Sequence, residues 1–172
     1  MTIRRRYNTV NLNGVSEVGL IILVILMLIG GSPGSTAGGM KTSTIAVICS
    51  SIISVFKNKE NAELFRKRIS DENVKKAFAI FFLYLFIFLF SGLIISKIEN
   101  VSVLSGLFET ASAIGTVGLT LGITPTLGLV SKIILIMLMF FGRIGGLTLI
   151  YATLGKGKKQ FYNYPLEKIM VG

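Results

Sequence analysis

Apolar stretches alternate with glycine-rich and charged stretches along the chain. The apolar stretches are residues 15–29, 44–56, 77–96, 101–114 and 127–154. A helix that crosses the hydrocarbon core of a bilayer needs about 17 to 25 apolar residues. Residues 77–96 meet this requirement without a single charge, so they predict a complete membrane crossing. Residues 127–154 predict a second crossing, which contains an arginine near its middle.

The first two apolar stretches flank a glycine-rich insert at residues 30–39. Residues 15–29 and 44–56 are each short for a complete crossing, which favours one broken crossing with the insert at mid-depth. Irregular backbone at that depth is tolerated only where it is buried in protein or lines water. The pattern therefore predicts that the insert lies beside a pore. The alternative is a hairpin of two short helices with the insert as an exposed loop.

The stretch at residues 101–114 is too short to return across the membrane. It runs into a candidate filter formed by Thr116, Val117, Gly118 and Leu119. A filter for K⁺ aims backbone carbonyls at the dehydrated ion, which needs extended backbone, a glycine free to adopt unusual φ and ψ angles, and no bulky inward side chain. The pattern predicts a re-entrant pore loop, whose helix at residues 103–113 points its negative carboxyl end toward the ion. The alternative is a glycine-containing turn between buried helices.

The last apolar stretch has two features that a lipid-facing helix lacks. Arg143 lies near the middle of residues 127–154. A buried arginine is costly unless it finds acceptors, so we predict a gate-associated residue that bonds the free carbonyls of the insert. An arginine that pairs with a carboxylate for packing is the alternative. Gly142, Gly145 and Gly146 beside it predict the close approach of another backbone.

Composition indicates a membrane protein. Of the 172 residues, 52% are hydrophobic and 15% are charged, whereas charged residues make up about a quarter of a typical soluble domain. The formal net charge of +10 does not indicate nucleic-acid binding, because the basic residues cluster in loops beside apolar stretches. We therefore predict contact with the lipid bilayer and none with nucleic acid. The positive-inside rule predicts that the basic residues 57–76 and 155–172 are cytoplasmic.

Support for enzyme chemistry is almost absent. The chain has no histidine and a single cysteine, Cys49, so neither a disulfide nor a cysteine-based metal site is expected. Glu109 and Arg143 are the only deep charges of note, and no acid–base pair is visible. The insert nearly matches the nucleotide-binding pattern G-x-x-x-x-G-K-[ST], but Met40 breaks the match and both flanks are membrane-type stretches. We predict no enzyme activity and no resident cofactor or metal.

Three motifs in order resemble a known family. They are GGSPGSTAGGMKT at residues 30–42, FETASAIGTVGLT at residues 108–120 and FFGRIGGLTL at residues 140–149. Together they resemble the membrane subunit of the Ktr/Trk potassium transporters over nearly the whole chain. The resemblance implies an all-α transmembrane fold of four helix, pore-loop, helix repeats around one pore. The implied parts are a residual third repeat at residues 1–56, a cytoplasmic loop at 57–76, the fourth repeat at 77–154 and a cytoplasmic tail at 155–172.

The resemblance also implies a site and partners. The insert is similar to the family's intramembrane gating loop, for which the candidate residues are Gly30, Gly31, Ser32, Gly34, Ser35, Thr36, Gly38, Gly39 and Lys41. The implied transported ion is K⁺, and Na⁺ as a coupling ion is left open. The implied partners are the missing repeats of the subunit, a second membrane subunit in a homodimer, and a cytosolic nucleotide-binding regulatory ring.

Departures from the family pattern predict an incomplete transporter. Where a third filter of the type Thr-Ala-Gly-Tyr is expected just before Asn8, the chain reads Arg4, Arg5, Arg6 and Tyr7, and three arginines would repel K⁺. One filter segment cannot close a ring of carbonyls. We therefore expect a truncated gene, a separately encoded half or a misassigned start, inactive alone in K⁺ transport. The alternative is a non-conducting membrane protein that interacts with or helps to assemble a complete transporter.

Overall fold

The computed structural model describes residues 14–57, 63–64 and 67–145. Its elements in chain order are α1 (Glu17–Leu28), α2 (Thr42–Phe56), β1 (Glu63–Leu64), β2 (Lys67–Arg68), α3 (Asp71–Glu99), α4 (Val103–Gly115) and α5 (Leu129–Ile144). The two strands form one short antiparallel ladder, and the other named elements are helices. The predicted all-α fold class is confirmed. The three arginines before Tyr7 and residues 146–172, which include Gly146 and the predicted tail, lie outside the described residues.

α3 is the longest helix and contains the charge-free stretch of the sequence. At about 1.5 Å rise per residue its 29 residues span about 43 Å, more than the roughly 30 Å of hydrocarbon in a bilayer. Asp71 and Glu72 in its first turn and Lys97 in its last complement the helix dipole. In the described part of the chain it is the one helix long and apolar enough to cross a membrane. Because α3 begins at Asp71, the loop predicted at residues 57–76 ends before Asp71 and is shorter than predicted.

α4 lies at the centre of the fold, where α1, α3 and α5 pack around it. Its residues 108–115 are all buried. Small side chains fill much of this stretch, which lets neighbouring backbones approach closely. At Gly142 of α5 an added Cβ would lie 2.0 Å from the carbonyl oxygen of Ile114, so only glycine fits there. The close approach predicted beside Arg143 is therefore confirmed at Gly142.

The insert joins α1 and α2 without making them a hairpin. Ile29 and Met40 form an isolated parallel bridge, so the chain enters and leaves the insert in the same direction. The bridge consists of the Gly30 amide donating to the Met40 carbonyl at 2.6 Å and the Met40 amide donating to the Leu28 carbonyl at 3.0 Å. Both helices are fully described, and they do not pack against each other: α1 packs on α4, and α2 packs on α3 and β1. A helical hairpin would instead bring two antiparallel helices together.

Candidate functional site

α4 ends in a Schellman motif, a hydrogen-bonding pattern that closes many helices. The Thr116 amide donates to the Ala113 carbonyl at 3.1 Å, and the Val117 amide donates to the Ser112 carbonyl at 3.0 Å. Glycine usually occupies the left-handed position of this motif, but here Thr116 holds it, at φ 53° and ψ 35°. A β-branched residue in this conformation is strained by about 1 to 2 kcal/mol. The prediction of extended backbone at Thr116 is wrong, because this residue caps the helix.

Gly118 has the unusual backbone conformation that a filter glycine was predicted to need. Its φ angle is 80°, and an added Cβ would meet no atom within 4 Å. The position therefore needs glycine for its backbone angle and not for lack of space. Val117 and Gly118 are exposed in the described chain, whereas Leu119 is half-buried and packs on the hydrophobic core. The candidate filter thus keeps one accessible side, and coordination of K⁺ by its carbonyls stays a prediction.

The gating loop, defined here as residues 30–41, reaches the candidate filter. The Gly38 amide donates to Thr116 Oγ1 at 3.0 Å, across 78 positions of sequence. Residues 38–40 are buried, while residues 32–36 are exposed. The loop therefore presents its returning segment to the end of α4 and its outer turn to the outside. The side chain of Thr116 contacts the loop, while its backbone belongs to the candidate filter.

Lys41 closes the gating loop on itself. Its Nζ donates to the Ser35 carbonyl at 2.8 Å and to the Ala37 carbonyl at 3.0 Å. A broken helix leaves carbonyls without intrahelical partners, and the sequence led us to expect Arg143 as their donor. The structure supplies the donors from the lysine at the end of the loop itself. Bonds to a charged donor are about twice as strong as neutral ones, so they hold the outer turn firmly.

Backbone and hydroxyl groups hold the rest of the gating loop. The Thr42 amide donates to the Gly31 carbonyl at 3.2 Å, and the Ala37 amide donates to Ser35 Oγ at 3.2 Å. The candidate residues exposed at the outer turn are Ser32, Gly34, Ser35 and Thr36. The loop is therefore a compact unit that is attached to the filter through its buried returning segment.

Arg143 is exposed in the described chain, whereas the sequence predicts a buried residue. Its side chain is exposed, and it is the next-to-last residue of α5, which ends at Ile144 before Gly145. No hydrogen bond or ion pair joins Arg143 to the gating loop, and both lie within the described part of the chain. Gly145 adopts a φ angle of 88°, which ends the helix. Arg143 therefore lies at a helix end, and its association with the gate stays a prediction.

Glu109 is a buried charge for which the sequence suggested no role. Its side chain on α4 is only 4% exposed. The carboxylate accepts hydrogen bonds from Thr120 Oγ1, from the Leu121 amide at 3.2 Å and from Thr124 Oγ1 at 2.8 Å. α4 thereby holds the segment that follows the candidate filter. The sequence feature that could have indicated this role is the pair Thr120 and Thr124, which follows the candidate filter within reach of a helix carboxylate.

Free space borders the gating loop. A cavity of about 300 Å³ lies between the loop, the first turn of α2, α3 and the end of α5. Its lining includes Pro33, Lys41, Thr44, Ile80, Tyr84 and Gly145. Over residues 14–57, 63–64 and 67–145 no group of histidine, cysteine, aspartate and glutamate side chains is placed to hold a metal ion.

Comparison with known families identifies the family of this chain. Residues 6–164 match the TrkH family, which is described as a cation transport protein. This chain belongs to the TrkH family. It is therefore a membrane protein, from a family of cation transporters and not of enzymes. The resemblance to Ktr/Trk membrane subunits is confirmed.

Three relatives of this TrkH-family chain have informative names. The potassium/sodium uptake protein NtpJ of Enterococcus hirae is 39% identical over 172 residues, covering 96% of this chain and 38% of the relative. The Ktr system potassium uptake protein B of Bacillus subtilis is 35% identical, covering 96% of this chain and 37% of the relative. The protein of the same name from Vibrio alginolyticus is 34% identical, covering 96% and 36% respectively. The chain thus spans less than two fifths of the length of these curated relatives.

The three motifs of this TrkH-family chain meet at the carboxyl end of α4. An added Cβ at Gly38 of the loop motif would lie 2.7 Å from the Ile114 carbonyl oxygen. Gly142 of the third motif approaches the same oxygen from α5, where an added Cβ would lie at 2.0 Å. Ile114 belongs to the second motif, two positions before the candidate filter. The glycine-rich sequences therefore serve the close packing of three backbones at one point.

Proposed function

We propose that this chain is part of the K⁺-translocating subunit of a Ktr/Trk-type uptake system, where it contributes one filter segment and the gate beneath it. The observation that carries the proposal is the hydrogen bond from the Gly38 amide to Thr116 Oγ1 at 3.0 Å, which joins the loop to the filter. The names of the relatives specify potassium uptake and support K⁺ as the transported ion. The name of the Enterococcus hirae relative also includes sodium, which supports Na⁺ as a coupling ion.

In this proposal the backbone of the filter performs the chemistry. Carbonyl oxygens from residues 116–119 replace the hydration shell of K⁺. The carboxyl end of α4 lies directly before these residues, and its negative dipole end favours a cation there. Gly118 permits the local turn of the backbone at a φ angle of 80°. One such segment cannot form a ring alone, and the greater length of the relatives is consistent with further repeats.

The gating loop is the proposed barrier below the filter. Lys41 holds the outer turn together, and the bond between Gly38 and Thr116 fixes the returning segment against the end of α4. Opening then requires this bond to break and the loop to move. The cavity of about 300 Å³ beside the loop offers space for such a movement. The loop and the filter would therefore influence each other through a single side chain.

The wider assembly follows from the family resemblance. α1, the gating loop and α2 would form the broken second crossing of the third repeat, which the parallel bridge between Ile29 and Met40 supports. α3, α4 and α5 would form the helix, pore helix and second helix of the fourth repeat. Residues 57–76 and 155–172 would face the cytoplasm, where a nucleotide-binding regulatory ring would meet them. Two membrane subunits would form the homodimer.

A chimeric transporter tests this proposal. Residues 6–164 replace the matching segment of the Enterococcus hirae relative, and the chimera is expressed in cells that lack K⁺ uptake systems. We expect growth at low K⁺ and saturable K⁺ uptake. The chain expressed alone should insert in the membrane but should not support this growth, because one filter segment cannot form a ring. A chimera that reaches the membrane in normal amount without transporting K⁺ would contradict the proposal.

A non-conducting interaction partner is the second candidate function. Residues 1–172 contain one candidate filter segment, which cannot form a ring of carbonyls alone. Co-expression with the intact relative separates the two functions. An interaction partner would change K⁺ uptake by the intact relative and would copurify with it. Rescue of growth by the chain alone would instead favour a pore built from several copies of this chain.

A further inference from the structure

We propose that Glu109 is a positioning residue that fixes the outer end of the filter segment, an inference that rests on the proposed function of that segment. The carboxylate lies on α4, and every hydrogen bond that it accepts comes from the segment after Leu119. Glu109 therefore connects the pore helix to the Leu119 end of the filter, whereas the Schellman motif holds the Thr116 end. The filter segment is fixed at both ends to one buried helix.

The burial of Glu109 makes this connection specific. A carboxylate that is 4% exposed needs donors, because burying a charge without partners is strongly unfavourable. The Leu121 amide and the hydroxyls of Thr120 and Thr124 meet this need. The Leu121 amide and Thr120 share one carboxylate oxygen, while Thr124 bonds the other. The carboxylate thus determines where the backbone at residues 120–121 lies.

One further bond connects Thr120 to the backbone that follows. Thr120 Oγ1 and Thr124 Oγ1 lie 2.7 Å apart, and the Gly122 amide donates to Thr120 Oγ1 at 2.9 Å. Charge-assisted bonds in such a network support one another, so losing one partner loosens the others. A displacement at residue 120 moves the adjoining carbonyl of Leu119, which is a candidate K⁺ ligand. Glu109 therefore acts on the ion through the filter backbone and not by contact.

A second glutamate, which is half-buried where Glu109 is buried, provides a control. Glu99, the last residue of α3, accepts from the Gly128 amide at 2.8 Å and from Ser131 Oγ at 2.6 Å. This carboxylate also bonds a backbone amide and a hydroxyl, but it connects α3 to the start of α5 and makes no bond to the filter segment. Glu99→Gln should therefore affect the amount of folded protein without affecting ion preference.

The experiment measures ion preference in the chimera that carries residues 6–164. For Glu109→Gln and for Thr124→Val we expect the KM for K⁺ to rise and the K⁺/Na⁺ preference to fall, each by about tenfold, the effect of one charge-assisted bond. Because both changes break one network, the double variant should add little. Thr124→Ser restores the hydroxyl and should return both values to those of the unsubstituted chimera.

Two outcomes would overturn the inference. In the first outcome, Glu109→Gln and Thr124→Val lower protein abundance but leave KM and K⁺/Na⁺ preference unchanged. A purely structural role predicts this result. In the second outcome, Glu99→Gln changes ion preference as strongly as Glu109→Gln. The change in ion preference would then be a general effect of loosening the fold. Failure of the unsubstituted chimera to transport K⁺ would count against the proposed function, whereas transport that is insensitive to Glu109→Gln would count against this inference alone.

Discussion

Replacing Thr116 with valine isolates the bond between the gating loop and the filter. Valine keeps the β-branching of threonine, so the strain of the left-handed position is retained while the hydroxyl that accepts from the Gly38 amide at 3.0 Å is lost. A buried donor left without a partner costs about 1 to 3 kcal/mol. Thr116 itself is half-buried, so water replaces part of the lost bond. We therefore expect the loss of this hydrogen bond to cost about 1 to 2 kcal/mol, in the lower part of this range.

This cost falls on the closed state, because the bond between Gly38 and Thr116 is made there in our proposal. The ratio of open to closed molecules should then rise by a factor of about 5 to 30. K⁺ flux rises by the same factor as long as the closed state predominates. The assay is Rb⁺ or K⁺ uptake into proteoliposomes that contain the chimera, normalised to protein amount. Thr116→Ser keeps the hydroxyl and is the matched control, with flux close to that of the unsubstituted chimera.

Two results would refute this reasoning about Thr116. Equal flux in the valine and serine variants, at normal abundance, would show that the hydroxyl does not restrain the loop. A fall in K⁺/Na⁺ preference without a rise in flux would show that the hydroxyl acts within the filter. Both quantities come from the same proteoliposome preparation, so neither result depends on comparing different samples.

Further substitutions test the other parts of the site. Gly118→Ser should weaken K⁺ selectivity or affinity because a Cβ disfavours its φ angle of 80°, and an unchanged K⁺/Na⁺ preference in uptake would remove Gly118 from the filter. Lys41→Met should raise K⁺ flux because the loop loses two bonds, whereas Arg143→Ala should leave K⁺ flux unchanged. A rise in flux for Arg143→Ala and none for Lys41→Met in the uptake assay would restore Arg143 as the partner of the loop. Gly142→Ala should destabilise the protein by about 1 to 3 kcal/mol because its Cβ would lie 2.0 Å from the Ile114 carbonyl oxygen, and normal abundance and Tm would contradict this packing.

The helices could be predicted from the lengths of the apolar stretches. The stretch at residues 77–96 lies inside α3, and the stretch at residues 101–114 corresponds to α4 with small differences at both ends. The boundary at Asp71 was missed because charged residues in a first turn stabilise a helix while interrupting an apolar pattern. α5 ends at Ile144, where Gly145 takes a backbone angle that leaves the helix, and the predicted crossing beyond residue 145 lies outside the described residues.

The need of the gating loop for donors could be predicted, but the donor could not. Unpaired carbonyls follow from any break in a helix, and a cation near them is a sound expectation. The sequence offered Arg143, which is distant in the chain, and Lys41, whose carbonyl acceptors lie six and four positions before it. A lysine stem can fold back over that distance at little cost in chain entropy. The choice depends on the path of the loop, which hydrophobic patterns do not encode.

Thr116 shows why the junction of helix, loop and filter was the least predictable part of the site. Helix capping alone favours glycine there, since threonine costs about 1 to 2 kcal/mol in the left-handed conformation. A glycine there has no side-chain acceptor, whereas the Thr116 hydroxyl accepts the bond from the Gly38 amide, which offsets a similar amount. Local preference and long-range contact therefore oppose each other at this residue. The backbone strain is retained at Thr116, whose side chain connects the gating loop to the candidate filter. The proposed gate must act at this connection.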